Sequence, residues 1–242
     1  MKLLRFAALA LIAPCAALAN STDDAEAGGG AVIGNVGMSI DIVGNSTLRN
    51  HTGSSHAIDF GFSYAKAKRT QDRENGDQVV RLGNTDFNGT DGDIKWTTNV
   101  QLAHVGYRPR FWFGDSDFAI EGVIGGGWAG MGIKGEQNGT VASERMSNGG
   151  GVIGLGGIWR FATNTALQLR FLHFISGDKE GVTSASRGDI SVTHALGKNF
   201  QIRGGLGYLS AYSAREDADD NIRKSPVRAG GVGLLLGIDF VF

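Results

Sequence analysis

Charged side chains recur at alternate positions within apolar and glycine-rich stretches of this sequence, and they are its first candidates for chemistry. Carboxylates and guanidinium groups held at one depth can pair as ions, or can line a gate for ions and small solutes. Because charges removed from water are costly unless they are paired, residues of both signs predict a Glu/Asp–Arg network. The candidate residues are Asp59, Glu121, Arg160, Arg170, Arg203 and Asp239.

Three histidines, His104, His173 and His194, fall on the apolar side of the same alternation. A histidine activates a serine only when the two side chains lie within hydrogen-bond reach. His173 and Ser176 are three positions apart, which places them on opposite faces of an extended strand. We therefore predict no catalytic pair and place the histidines near an interface or at a bulge, with His173 and His194 at comparable depth. No cofactor or metal site is predicted.

The elements that must position these residues are β-strands, because apolar residues alternate with small or polar ones in one segment after another. Eight strands fit the pattern, and residues 31–43 alternate well but stay unassigned. If they form a first strand, an even strand number needs the weak segment 77–83 as well, which gives ten. The eight predicted strands are about 57–68, 94–110, 118–134, 149–161, 166–177, 188–197, 200–213 and 227–242.

Short connections alternate with long polar ones, at roughly 69–93, 135–147, 178–188 and 214–226. This alternation predicts an up-and-down antiparallel barrel with tight turns at one end and larger loops at the other. In hydrocarbon such a barrel carries its apolar residues outward and its polar or small residues inward. The outward set is then predicted to include Trp96, Val100 and Leu102.

Bulk composition limits the possible functions. The net charge is −1, which gives no basic face for nucleic acid. Lys2 and Arg5, a short apolar run and Ala17-Leu18-Ala19 predict a cleaved export signal over residues 1–19. Residues 20–30 then read as a polar linker, and residues 31–242 as the barrel.

The last strand, "LLLGIDFVF", places Ile238, Phe240 and Phe242 at alternate positions, with an aromatic residue last. This ending resembles the C-terminal assembly signal of small Gram-negative outer-membrane barrels of the OmpA, OmpX, OmpW and opacity-protein type. The resemblance implies an outer-membrane location, recognition of the last strand by the barrel-assembly machinery, contact with lipopolysaccharide, and extracellular ligands at the loops.

From these observations we expect a non-enzymatic protein of envelope structure or surface interaction, with a polar and largely plugged lumen. One alternative is a narrow pore for ions or small solutes. Another is a lipid-A-modifying enzyme, because "LRFLHFISGD" resembles the His/Ser region of outer-membrane lipid A deacylases. The sequence departs from that family where the chemistry would lie, since His and Ser are not two positions apart.

Overall fold

The computed structural model of the chain describes residues 30–43, 54–72, 79–87, 92–114, 116–178, 180–197, 200–214 and 227–241. The predicted export signal (1–19), nearly all of the predicted linker (20–30) and Phe242 lie outside these residues. No helix among the described residues is long and apolar enough to cross a membrane.

The protein is all-β, as predicted, and its eight antiparallel strands form a nearly closed barrel. In that sheet β2 pairs with β5, and β5 to β11 follow one another in chain order. All eight predicted strands are confirmed. The strands are β1 (Gly30–Val43), β2 (Ser54–Gln71), β3 (Val80–Leu82), β4 (Thr85–Phe87), β5 (Ile94–Trp112), β6 (Phe118–Gln137), β7 (Thr140–Ala162), β8 (Thr165–Ile175), β9 (Ser184–Ala195), β10 (Phe200–Ser213) and β11 (Val227–Val241).

Strand β1, in the segment that the sequence left unassigned, fills the remaining gap between β2 and β11. It pairs antiparallel with β2 and parallel with β11, for example at Met38 beside Ile238. A parallel pair lets an odd strand close the ring, so a tenth strand is not required. The ten-strand alternative is wrong, since residues 80–82 form a separate hairpin with β4.

The predicted long loop at 135–147 is also wrong, because β6 and β7 continue through it and pair as far as Gln137 with Thr140. Asn138 and Gly139 make the turn, with φ angles of 46° and 81°. Two consecutive positive φ angles are typical of the type I′ hairpin turn that Asn-Gly favours. The result is a long hairpin at the end of the barrel that carries the longer connections, called here the loop end; the opposite end is the turn end.

The outward face is apolar over most of the barrel, and the exposed fraction reaches 67% at Leu155 and 65% at Leu236. Strand β5 departs from the prediction in its first half, since Val100 and Leu102 are fully buried inside the barrel. The register of β5 is fixed near the turn end, where Tyr107 points outward and the neighbouring arginines inward. A strand without a bulge must keep that alternation along its length.

The interior is layered along the barrel axis. Charged and polar side chains form the middle layer, which we call the charged layer. A small apolar layer of Trp112, Ala119, Ile158, Ala166 and Ala195 lies at the turn end. A larger apolar layer lies at the loop end, and it includes Ile94, Val100, Leu102, Met131, Met146, Val152, Leu172, Phe174 and Leu209.

Two loop segments pack into the loop-end layer. Phe87 of the β3–β4 hairpin is fully buried and makes an edge contact with Trp96, with ring centroids 5.7 Å apart. Val182, in the connection between β8 and β9, is also fully buried. Asn148 holds that connection by donating to the carbonyl oxygen of Val182 at 3.3 Å. The loop end of the lumen is therefore filled by apolar side chains.

Candidate functional site: the charged layer of the lumen

Glu121 on β6 is the centre of the charged layer and is almost completely buried. Its Oε2 lies 3.1 Å from Nη2 of Arg110, on the neighbouring strand β5. Its Oε1 accepts hydrogen bonds from Arg170 Nε at 2.9 Å and from Gln168 Nε2 at 2.6 Å. Arg108 approaches Oε2 to 3.7 Å. One carboxylate thus faces three guanidinium groups, which stabilise its negative charge away from water.

Arg170 connects opposite walls of the barrel. It lies on β8, and its Nη1 donates to Asp59 of β2 at 3.2 and 3.3 Å from the two carboxylate oxygens. Its other side pairs with Glu121 on β6. Three strands separate β8 from β2 around the ring, so this guanidinium group crosses the lumen and is held by two carboxylates. The structure thus brings Asp59, Glu121 and Arg170 into one network.

His104 lies inside the barrel, contrary to the prediction that placed it on the outward face. It shares the β5 register of Val100 and Leu102, and its Nε2 is 3.1 Å from Asp59 Oδ2. The ring occupies the space opposite Gly61, where an added Cβ would lie 2.1 Å from His104 Cε1. The histidine is thus a further partner of the network. Sequence reasoning missed it because it assigned the inward face of β5 from the apolar residues 96–102 and not from the arginines at 108 and 110.

Arg203 and Asp239 are both buried in the same layer. Arg203 Nη1 donates to Gln168 Oε1 at 3.1 Å, and its guanidinium group lies against Gly237. Asp239 interacts electrostatically with Arg108 and Arg170.

Sequence reasoning missed the buried pair Arg187 and Asp189, whose Nη2 and Oδ2 atoms lie 3.3 Å apart. It also missed Arg108 and Arg110, although their alternation with Tyr107 and Phe111 carries the signal.

Arg160 lies apart from the network. It is at the turn-end rim, where its Nε and Nη2 donate to Asp117 Oδ1 at 2.8 and 2.6 Å. Arg160 is four residues nearer the turn end than Gly156, which lies directly opposite Glu121. Four residues of strand amount to ~13 Å, so its predicted height in the barrel is wrong even though its face is inward.

Glycines directly opposite the charged residues make room for them. An added Cβ at Gly156 would lie 2.9 Å from Glu121 Cγ, and one at Gly237 would lie 2.8 Å from Arg203 Nε. The same relation holds between Gly61 and His104. Each pair consists of directly opposite residues on adjacent strands, so both residues belong to the same wall. The glycine therefore lets the longer side chain lie over the neighbouring strand.

The other two histidines point outward, as predicted, but they are not at comparable depth. His173 Nδ1 is 2.8 Å from Ser186 Oγ near the loop end, whereas His194 Nδ1 is 2.9 Å from Thr165 Oγ1 near the turn end. His173 and Thr165 are eight residues apart on β8, or ~26 Å along the strand. The two histidines therefore cannot share one site.

Searches of protein-family models, curated proteins and solved structures find no match to this chain. The class of protein that the fold defines is an all-β protein with a nearly closed barrel of eight antiparallel strands. Its site is an interior network of paired charges between two apolar layers. Among the described residues no group of three or more metal-ligating side chains could hold a metal ion.

Replacing Glu121 with Gln is expected to destabilise the folded barrel by about 3–5 kcal/mol, because it leaves the surrounding guanidinium groups without their main counter-charge. Urea unfolding of the refolded protein, followed by tryptophan fluorescence, measures the change. Arg160→Gln is the matched control and should cost about 1 kcal/mol or less, since Asp117 is half exposed. Equal losses in the two variants would contradict a central role for Glu121.

Replacing Gly61 with Ala is expected to destabilise the barrel, because the new methyl group would overlap the His104 ring. Gly204→Ala, at an outward position with open space around it, should leave the unfolding midpoint nearly unchanged. The double variant Gly61→Ala/His104→Ala should cost less than the sum of the single variants. Strictly additive losses would show that the glycine does not accommodate the ring.

Proposed function

We propose that the protein is a non-enzymatic outer-membrane β-barrel with a plugged lumen, which serves the structure of the envelope and surface interactions through its loop end. The observation that carries this proposal is the continuous outward band of exposed apolar residues around a buried charged layer. A water-soluble protein rarely exposes a contiguous apolar patch of more than a few hundred Å². In hydrocarbon the same surface is favourable.

The height of the apolar band suits a bilayer. On β6 it runs from Phe118 through Ile120 and Ile124 to Trp128, and Lys134 is the first outward charge beyond it. Ten residues at ~3.3 Å rise and ~40° tilt span ~25 Å, which is the thickness of the apolar band of outer-membrane barrels.

Aromatic side chains gather at the turn-end edge of this band. Phe113 stacks on Phe118 with ring centroids 5.6 Å apart, and Phe200 meets Phe240 edge to face at 5.5 Å. On β7, which pairs with β6, the ring centroids of Trp159 and Phe161 lie 6.0 Å apart. Aromatic girdles of this kind lie at the interfaces of membrane barrels. The pattern supports membrane insertion with the band at the height of the hydrocarbon.

The filled interior favours a plug over a pore. Apolar layers lie above and below the charged layer, and ions do not pass closely packed apolar side chains. The buried residues Asp59, Glu121 and Arg170 also pair with one another inside the barrel, which a structural role accounts for.

The His173–Ser186 hydrogen bond is the one feature among the described residues that could support the alternative of a lipid-A-modifying enzyme. Its cavity, of about 70 Å³, is lined by His173, Ser184, Ala185, Ser186, Ser210, Ala211, Tyr212 and Arg228. None of these residues carries a carboxylate or amide side chain that could orient the imidazole as a general base. We therefore propose that the pair is a surface hydrogen bond, and unchanged lipid A by mass spectrometry on expression of the protein is the expected result.

Leu236→Arg tests membrane insertion. Leu236 is 65% exposed near the middle of the band on β11, and arginine at the bilayer midplane costs about 2–4 kcal/mol. We expect a lower urea midpoint and poorer refolding into phosphatidylcholine vesicles. Val79→Arg is the control, because Val79 is 56% exposed outside the barrel wall and its change should be neutral. A neutral Leu236→Arg variant in a protein that stays soluble without detergent would contradict the proposal.

Arg203→Ala separates the plug from the pore. Removing a buried side chain of the plug should lower the unfolding midpoint, while the apolar layers continue to block ions. Planar-bilayer recordings should therefore show no steady conductance for either the wild type or the variant. Conductance steps in the wild type that grow in Arg203→Ala would establish a gate instead.

A further inference from the structure

Five basic side chains project outward at the loop end of one side of the barrel, and together they form what we call the lysine patch. They lie on four adjacent strands, β2, β5, β6 and β7, and all are exposed. The members are Lys66, Lys68, Lys95, Lys134 and Arg145.

Strand register places the patch in three consecutive cross-strand rows. Lys68 pairs with Thr97, which pairs with Lys134. The row nearer the turn end joins Lys66 to Arg145 through Asn99 and Gly132, and the row nearer the loop end contains Lys95. Lys95 is a diagonal neighbour of both Lys68 and Lys134, which places their Cβ atoms ~7–8 Å apart. Three lysines thus lie close together within two rows.

Few carboxylates balance the patch. Within the three rows, among the residues that the structure describes, Glu136 is the one outward carboxylate, and its Oε2 lies 3.7 Å from Lys134 Nζ. Asp72 and Asp93 lie farther toward the loop end. The opposite side of the barrel differs, since its outward residues at this height include Ser184, Ser186 and Ser210, with Arg228 as a basic residue beside them. The positive charge is therefore concentrated on the β2–β7 side.

The patch surrounds an open cavity of about 280 Å³ on the outer wall. Its lining holds four basic residues and one carboxylate, and the lining residues are Lys68, Arg69, Thr70, Lys95, Trp96, Thr97, Lys134 and Glu136. The patch lies beyond the apolar band: on β2 Lys66 follows Tyr64 by two residues, and on β6 Lys134 follows Trp128 by six residues, with outward glycines between them. In a membrane-inserted barrel, the Lys66 end of the patch would be at the height of the lipid headgroups. A ligand in the cavity would have its charged group among the lysines and its acyl chains along the band.

We propose that the lysine patch binds the phosphorylated headgroup of a membrane lipid in the leaflet at the loop end. The proposal rests on the membrane insertion proposed above and adds a ligand and a site. The lysine ammonium groups supply the counter-charge for a phosphate monoester, and Thr97 adds a hydroxyl donor at the centre of the patch. The adjoining apolar wall selects a lipid over a free anion.

Titration of dihexanoyl phosphatidic acid into the full barrel in a neutral detergent, followed by calorimetry, tests the site. Because each lysine near an anionic group contributes roughly a fivefold gain in affinity, Lys68→Gln/Lys134→Gln should weaken binding about 25-fold. Lys68→Arg/Lys134→Arg should retain it. Dihexanoyl phosphatidylcholine should not bind measurably, and inorganic phosphate should bind at least tenfold more weakly than phosphatidic acid.

Arg81→Gln/Arg228→Gln removes the same charge outside the patch and should leave the affinity unchanged. Equal loss in this control, unchanged affinity in Lys68→Gln/Lys134→Gln, or equal binding of inorganic phosphate would each overturn the proposal. Flotation with pure phosphatidylcholine vesicles separates the two proposals. A barrel that inserts there but shows no preference for phosphatidic acid keeps its membrane role and loses the site, whereas one that fails to insert loses both.

Discussion

The pairing of Arg170 with Asp59 and Glu121 across the lumen is the constraint on which the barrel depends. A guanidinium group inside a protein is tolerated only with carboxylate partners. These partners come from β6, two strands away from β8, and from β2, across the lumen. The pairing therefore fixes which residues face inward on three separate strands. A slip of one residue on any of them would move a charge to the outward face and an apolar residue into the network.

Space inside the barrel is the second constraint, and it accounts for glycine at three inward positions. At three places a long inward side chain lies over the adjacent strand, at a glycine directly opposite it. Gly61, Gly156 and Gly237 are directly opposite His104, Glu121 and Arg203 respectively, and in each case a Cβ would lie within 3 Å of the longer side chain. Glycine costs conformational entropy in a strand, and here the interior ion pairs compensate for that cost. The charged layer therefore depends on the glycines for its space.

The strands and most of their faces could be predicted from the sequence because alternation is a local property. On β6, Phe118, Ile120 and Glu121 fall on the faces that the pattern predicts. The pattern fails on β5, where Val100 and Leu102 pack inside, because an apolar residue suits both the outward band and the loop-end layer. Charge is the stronger signal there, and Arg108 with Arg110 would have fixed the register.

Features that depend on distant parts of the chain could not be predicted in this way. The parallel pairing of β1 with β11 joins strands nearly 200 residues apart in sequence, and nothing local in residues 31–43 specifies its direction. The partners of Glu121 on β5 and β8 depend likewise on the order of strands around the ring. By contrast, the turn at Asn138-Gly139 could have been predicted from its two residues alone. The polar residues around it instead favoured the prediction of a long loop.

The distribution of side chains indicates where this protein can interact with other molecules. The interior is occupied by charged side chains between two apolar layers that close it from both ends, and the wall is mostly apolar. We therefore propose that recognition takes place at the loop end. There the charge is uneven, with basic residues on the β2–β7 side and mostly hydroxyl groups on the β8–β11 side. Because side chains on the wall just beyond the band point sideways rather than along the axis, the basic side would face the surrounding lipids in a membrane rather than an approaching soluble partner.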